Sequence, residues 1–395
     1  MPASVVYISY DGMLEPLGQS QVLAYLEQLS DDYRIRVISY EKKHDWRDRR
    51  KVEALKQRLE ASRIAWTPLS YHKSPSALAT AWDILVGMAV VLWYAIRERA
   101  SILHVRSYVP ALMALPARRL TGTRLLFDIR GFWADERVDG GVWPRDGWLY
   151  RLTKKLERRF FLAADHTVTL TRASEAIIRN FDYLRGRTPP ISVIPTCADL
   201  DRFRPQTVDP NRPFTFGYVG SIGTWYLFDE TMSFFRALLE IEPDARFVIV
   251  NRHEHELVRS LAKRHGIDER RIEVGGAEHG DMPARIAEMH AAAALIKPCY
   301  SKLASAPTKL AEYLGCGVPC LGNTGVGDMD DILRKRGTGV IIEGFSDGEL
   351  AEAARQIVAL ARDPETARRC CETAVEFFSL DAGVSAYRRI YQGLA

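Results

Sequence analysis

Short apolar runs alternate along the chain with stretches whose apolar residues recur every third or fourth position. The first run is 5–9, and Val22, Leu23, Leu26 and Leu29 then share one helical face. Further runs at 35–40, 102–105, 125–128, 167–170 and 192–194 follow, with helical patterns between most of them. Runs that lack polar alternation suit strands covered on both faces, so repeated β-α units predict a parallel sheet. After a polar, proline-containing stretch at 204–213 the pattern restarts, with strands predicted at 214–219, 247–250, 272–274, 293–297, 318–321 and 340–342. The expected fold is therefore α/β, with two Rossmann-like domains at 1–197 and 206–378. A terminal helix over 379–395 carries Val384, Tyr387, Tyr391 and Leu394 on one face and is expected to pack back on the N-terminal domain.

A length of 395 residues agrees with two cores rather than one. The six cysteines lack C-x-x-C spacing, which argues against a disulfide framework or a zinc site and fits a reducing cytoplasm. The chain enters its first strand without a basic leader or cleavage site, so a cytoplasmic location without a signal peptide is expected. The most apolar stretch, 84–96, is shorter than the ~20 residues that cross a bilayer and reads as a buried or surface helix. The net charge is +4, with a basic first half and an acidic second half. That asymmetry suits a first domain that meets an anionic surface or acceptor, and no nucleic-acid partner is expected.

Doubly wound sheets bind ligands beyond the carboxyl ends of their strands, so the loops there hold the candidate chemistry. After the first strand come Gly18, Gln19 and Ser20, read as a close-approach glycine and a helix N-terminus with free amides. The second domain opens on Gly217, Gly220, Ser221 and Gly223, a turn suited to a phosphate on backbone amides. The densest stretch runs from Lys297 through Ser305, Pro307 and Thr308 to Lys309 and Glu312. It predicts a helix start near Pro307, with Lys309 for a diphosphate and Glu312 for a ribose diol. The loop after 125–128 brings Asp128, Arg130 and Asp135 among aromatic residues. A carboxylate there is a candidate proton acceptor, and the arginine a candidate phosphate clamp. Asp199 with Asp201, and Asp328 with Asp330, form D-x-D matches that read as turns or caps rather than a metal site.

The run 309–319, with Lys309, Glu312, Gly317 and Pro319, resembles the donor-site signature of glycosyltransferase family 4. The run 193–205, with Pro195, Asp199, Asp201, Phe203 and Pro205, is similar to that family's passage into its second domain. The resemblance implies a GT-B fold with both sheets facing a central cleft, and a retaining, metal-independent and cofactor-free transfer. The sugar would pass from a UDP- or GDP-sugar to a glycan or lipid-linked acceptor. The implied donor-binding residues are Gly18, Gln19, Gly220, Ser221, Lys297, Ser305, Thr308, Lys309 and Glu312. Arg130, Asp128 and Asp135 are the implied catalytic group. Three departures stand out. Ala304 occupies the place of the family's sugar-contacting glutamate. Ser221 and the 224–226 region replace its usual basic residues, and Arg130 falls about where a histidine is common. A nicotinamide dehydrogenase, with Glu41 as ribose ligand, lacks the G-x-G-x-x-G fingerprint. A nucleotide-sugar 2-epimerase or a non-catalytic sugar-nucleotide binder shares the expected architecture. The run 148–161 places Leu149, Leu152, Leu156 and Phe160 at helical spacing among bases, and predicts peripheral contact with an anionic membrane.

Overall fold

The computed structural model describes residues 2–395 apart from Lys73, Pro75, Pro210, Asn211 and His279, and apart from the side chains of Ser76 and Ala77. The chain divides into two compact units, Met1–Ile194 with Leu380–Ala395, and Pro195–Ser379.

In the first unit the apolar runs form a seven-stranded, wholly parallel sheet. Its strands are β1 (Ser4–Ser9), β2 (Arg34–Glu41), β3 (Ala65–Ser70), β4 (Ile102–Arg106), β5 (Arg124–Asp128), β6 (His166–Thr169) and β7 (Ile191–Val193). The order is β3-β2-β1-β4-β5-β6-β7, so chain direction splits between β1 and β4. Strand β3 has no apolar periodicity and contains Pro68, which is why the pattern does not announce it. It lies at the sheet edge, where the missing N–H of proline is tolerated. Helices relevant to the site are α1 (Ala24–Leu29), α2 (Ser76–Arg97), α3 (Tyr108–Thr121), α4 (Trp133–Asp139) and α5 (Trp148–Ala163). Helix α2 has 22 residues and is longer than its apolar run suggested. Among the described residues it alone has the length and composition to cross a membrane.

The second unit holds a six-stranded parallel sheet of β8 (Thr215–Val219), β9 (Arg246–Val250), β10 (Ile272–Gly275), β11 (Ala291–Ala293), β12 (Cys320–Asn323) and β13 (Gly339–Ile342). The order β10-β9-β8-β11-β12-β13 repeats the same split, here between β8 and β11. Strand β11 ends earlier than the sequence pattern suggested. The Asn323 side chain takes over both the N–H and the C=O of Ile296 (2.8 and 2.9 Å), and Lys297 N bonds Trp225 O at 2.9 Å. Helix α6 (Thr308–Gly315) packs beneath this switch point.

Residues 195–205 fold with the second unit rather than linking the two. Ala198 N bonds Phe378 O at 2.9 Å, and Phe203 is buried beside Leu310 and Leu314. The chain re-enters the first unit as α7 (Leu380–Leu394), which packs on α1. Val384, Tyr387 and Tyr391 are buried there, with Tyr387 edge-on to Tyr25 and Tyr391 edge-on to Tyr33, while Leu394 is half-exposed.

Candidate active site

Strand β8 is followed by Gly220, whose φ of +114° lies where a side chain is disfavoured. A Cβ built there would stand 3.4 Å from Lys309 Nζ, so the bare backbone and the ammonium face each other. Lys309 is the second residue of α6. Its Nζ sits 4.2 Å from both the Tyr218 and Tyr226 ring centres and is buried, without a hydrogen-bond partner among the described residues. Two aromatic faces attract the cation but cannot replace a carboxylate, so burial lowers the Lys309 pKa to about 7. One turn on, burial raises the Glu312 acid to about 7, against the pull of Lys309 and Arg202. Tyr313 fixes α6 to the sheet, since its hydroxyl accepts Val219 N–H at 2.9 Å and donates toward Ala293 O at 3.4 Å.

The other residues expected at this site fall into two groups. Thr308 starts α6 and Ser305 closes the preceding turn, its N–H bonded to Lys302 O; both are half-buried. Lys297, in contrast, is exposed. Ser221 is exposed too, with its hydroxyl 3.4 Å from Glu254. Glu254 also accepts Ile222 N–H at 3.0 Å and Asn251 Nδ2 at 2.7 Å, and these bonds outweigh burial to hold its pKa below the usual value. The glycine-rich turn therefore already carries a carboxylate on an amide expected to be free for phosphate. Sequence reasoning also passes over Lys302. It is buried with Nζ 4.0 Å above Trp225, so Trp225 and Tyr226 each carry a lysine where the turn itself has no base. The signal is present as the second cation in a loop beside two adjacent aromatics. Ala304 is buried and brings no polar group.

In the first unit, Asp128 ends β5 and is buried. Its Oδ2 accepts from Tyr387 OH (3.1 Å) and lies 3.7 Å from Arg130 Nη1; among the described residues its Oδ1 has no partner. Burial alone would raise its pKa, yet Arg130, His104 and Arg106 together hold it below the usual value. Arg130 has a φ of +59°, strain of ~1–3 kcal/mol that the surrounding structure sustains. Arg106, at the end of β4, is buried with Nε 3.3 Å from Asp11 and, among the described residues, no partner for Nη1. Periodicity could not flag it, because it directly follows the apolar run 102–105. Asp135 departs from the expected role. Both its oxygens are engaged within the helix layer, by Tyr150 OH (2.8 Å) and Lys154 Nζ (3.1 Å), which makes it a brace.

The loop after β1 also differs from expectation. Its helical turn begins at Pro16, not Ser20, and Gln19 N–H already bonds Glu15 O. A five-residue π-turn, Gln19–Leu23, follows, and such turns often mark functional sites. Gly18 is required by the loop itself, since a Cβ there would fall 2.1 Å from Gly12 O. Glu41 is not available as a ribose ligand. Its carboxylate accepts Met13 N–H (2.8 Å), Leu14 N–H (3.2 Å) and Ser39 OH (2.6 Å). Asp199 likewise serves a turn, accepting the N–H groups of Asp201 (3.1 Å) and Arg202 (3.4 Å).

Residues 19–197 match the glycosyl transferase 4-like domain, and residues 199–377 match the glycosyl transferases of group 1. The chain is a group 1 glycosyltransferase of the family-4-like kind. Solved structures share its fold over nearly their full length. A sucrose-phosphate synthase from Thermosynechococcus elongatus is 13% identical at a TM-score of 0.72, covering 99% of each chain. Anabaena HepE, solved with UDP and glucose, is 14% identical at 0.67, covering 98% of this chain and 99% of its own. A Listeria monocytogenes protein described as a UDP-N-acetylglucosamine 2-epimerase is 14% identical at 0.63, covering 100% and 98%. No curated protein matches the transferase in sequence. Its two parallel-sheet units are those of the GT-B class.

Proposed function

We propose that this transferase moves a sugar from a UDP- or GDP-sugar held by the second unit to a glycan or lipid-linked acceptor held by the first, with retention of configuration. The observation that carries the donor assignment is the unpartnered Lys309 ammonium facing Gly220, with Glu312 one turn along the same helix. An anion of two phosphates is the ligand that relieves both the cost of that buried charge and the open backbone. In this reading Lys309, aided by Lys302, stabilises the charge that develops as the nucleoside diphosphate departs, and Glu312 accepts from the ribose diol. The positive charge comes from these lysines, so no divalent metal or other cofactor is needed. Asp128 is held ionised and is a weak proton acceptor near neutral pH; its part is to position Arg130. A leaving-phosphate oxygen on the acceptor's own face then takes the acceptor proton, which gives retention.

Incubation with a panel of nucleotide sugars and an added acceptor tests the reading. Transfer should persist in EDTA, and the product's NMR coupling should show the donor's anomeric configuration. Hydrogen bonds to charged groups contribute roughly 1.5–3 kcal/mol, so Glu312→Ala should lower donor affinity or turnover about tenfold or more. An inverted product, a 2-epimer without transfer, or unchanged kinetics in a folded Glu312→Ala protein would reject it.

A further inference from the structure

Helices α2, α3 and α5 pack side by side in the first unit, α3 between the other two. The inner face of α2 is tightly fitted. A Cβ on Gly87 would fall 2.5 Å from Met113 Sδ on α3 and 2.7 Å from Tyr40 OH on β2. Asp83, buried in the same helix, accepts from Tyr10 OH at 2.9 Å and holds His72 Nδ1 at 2.6 Å. Helix α2 is thus a fixed part of the fold, not a segment free to cross a bilayer.

Its outer face is another matter. Leu78, Trp82, Leu85, Trp93 and Ile96 are exposed at helical spacing, each by more than half. Leu120 at the end of α3 and Trp148 at the start of α5 are also exposed, at 70% and 71%. In the second unit, among the described residues, the exposed large apolar side chains are Leu257, Tyr300 and Val375 alone. A contiguous apolar face of this kind marks an interaction surface.

Charge identifies the occupant. The three helices contain two acidic residues, Asp83 and Glu157, and both are buried and hydrogen-bonded. Arg97, Arg119, Arg151, Lys155, Arg158 and Arg159 are exposed, and among the described residues none has a carboxylate partner. The three helices therefore present apolar side chains and cations without a carboxylate partner among the described residues, and no exposed acid of their own; the nearest exposed acid along the chain, Asp146, lies in the loop before α5. A second copy docked by two-fold symmetry would set these cations against one another. Trp, Leu and Ile interspersed with Arg and Lys on a surface-lying helix is the composition that beds into an anionic lipid surface.

We infer that the outer face of the α2–α3–α5 layer docks in the plane of an anionic phospholipid bilayer, with α2 as the apolar element and α5 as the cationic one. The sequence reading placed this contact on the apolar stripe of 148–161, only part of which is exposed. Leu149 and Leu152 are exposed there, but Leu156 is half-buried and Phe160 is buried in the unit's core. The proposal concerns the surface of the first unit and stands whether or not the donor assignment holds.

Flotation of the full chain with phosphatidylcholine vesicles, with and without phosphatidylglycerol, tests it. Binding should require phosphatidylglycerol, weaken in high salt and shift tryptophan emission to the blue. The double variant Trp82→Ser, Trp93→Ser should lose about tenfold in partitioning with its thermal melt unchanged, because both side chains are exposed. Gln at Arg151, Lys155, Arg158 and Arg159 should flatten the salt dependence. Absence of binding to phosphatidylglycerol vesicles at low salt would overturn the inference. So would undiminished binding of the double tryptophan variant, or a concentration-dependent dimer that this variant abolishes.

Discussion

Lys309 concentrates the physics of the candidate site in one side chain. Its pKa in the folded chain is about 7, against the ordinary lysine value of 10.5, so between those values the unfolded chain binds the extra proton. Stability from this group therefore rises with pH through that window. Glu312 acts in the opposite sense and lower down. Its folded value of about 7 exceeds the ordinary glutamate value of 4.5, so its contribution falls as pH rises from 4.5 to 7. Thermal melts across pH 7–10 should show an upward trend that Lys309→Met removes; the same trend in the variant would exclude Lys309 as its source. A diphosphate restores the lysine's charge, so UDP binding at pH 8 should take up a proton. Calorimetry in two buffers of different ionisation enthalpy measures that uptake, and a buffer-independent heat would contradict it. Lys309 and Glu312 were both legible from the helix-start pattern. That the ammonium lies unpaired between two tyrosines was not, because Tyr218 and Tyr226 come from distant sequence.

At the scale of elements, buried polar side chains shape the loops at the strand ends. Glu41 is the clearest case, since one carboxylate ends β2 and fastens the backbone of the loop after β1. Glu41→Gln keeps the shape but turns one acceptor into a donor that faces an N–H group. A loss of about 1–3 kcal/mol is expected, seen as a lower melting temperature and faster hydrogen exchange at residues 11–20. Unchanged exchange there would show that the loop holds itself. From sequence alone Glu41 suits a ribose, because a carboxylate at a strand end fits either use; the distances to Met13 and Leu14 separate the two. Asp135 teaches the same lesson, since its spacing after β5 suited catalysis while Tyr150 and Lys154, a helix away, occupy it.

At the scale of the whole molecule, the proposal sets the donor groups on the second unit, while the apolar, cationic face lies on the first. Hydrogen exchange with UDP should protect residues 305–320, together with the turn around Gly220, before anything in residues 1–100. Protection confined to the first unit would reverse the assignment.

The sequence by itself determined the α/β class, the restart of the pattern near residue 214 and the family. These depend on local periodicity and on short signatures that one stretch of chain contains. It also set Lys309 and Glu312 one turn apart at the start of a helix, a spacing that the helix itself fixes. Only the tertiary structure decided which polar groups are already satisfied and which remain open, because hydrogen-bond partners are distant in sequence. Asp135, Glu41 and the Ile222 amide were found engaged in this way, while Arg106 was brought into view. The exposed apolar face of α2 follows the same rule. Periodicity shows that α2 is apolar, but which of its faces is left uncovered depends on Met113 and Tyr40 closing on Gly87 from elsewhere in the fold.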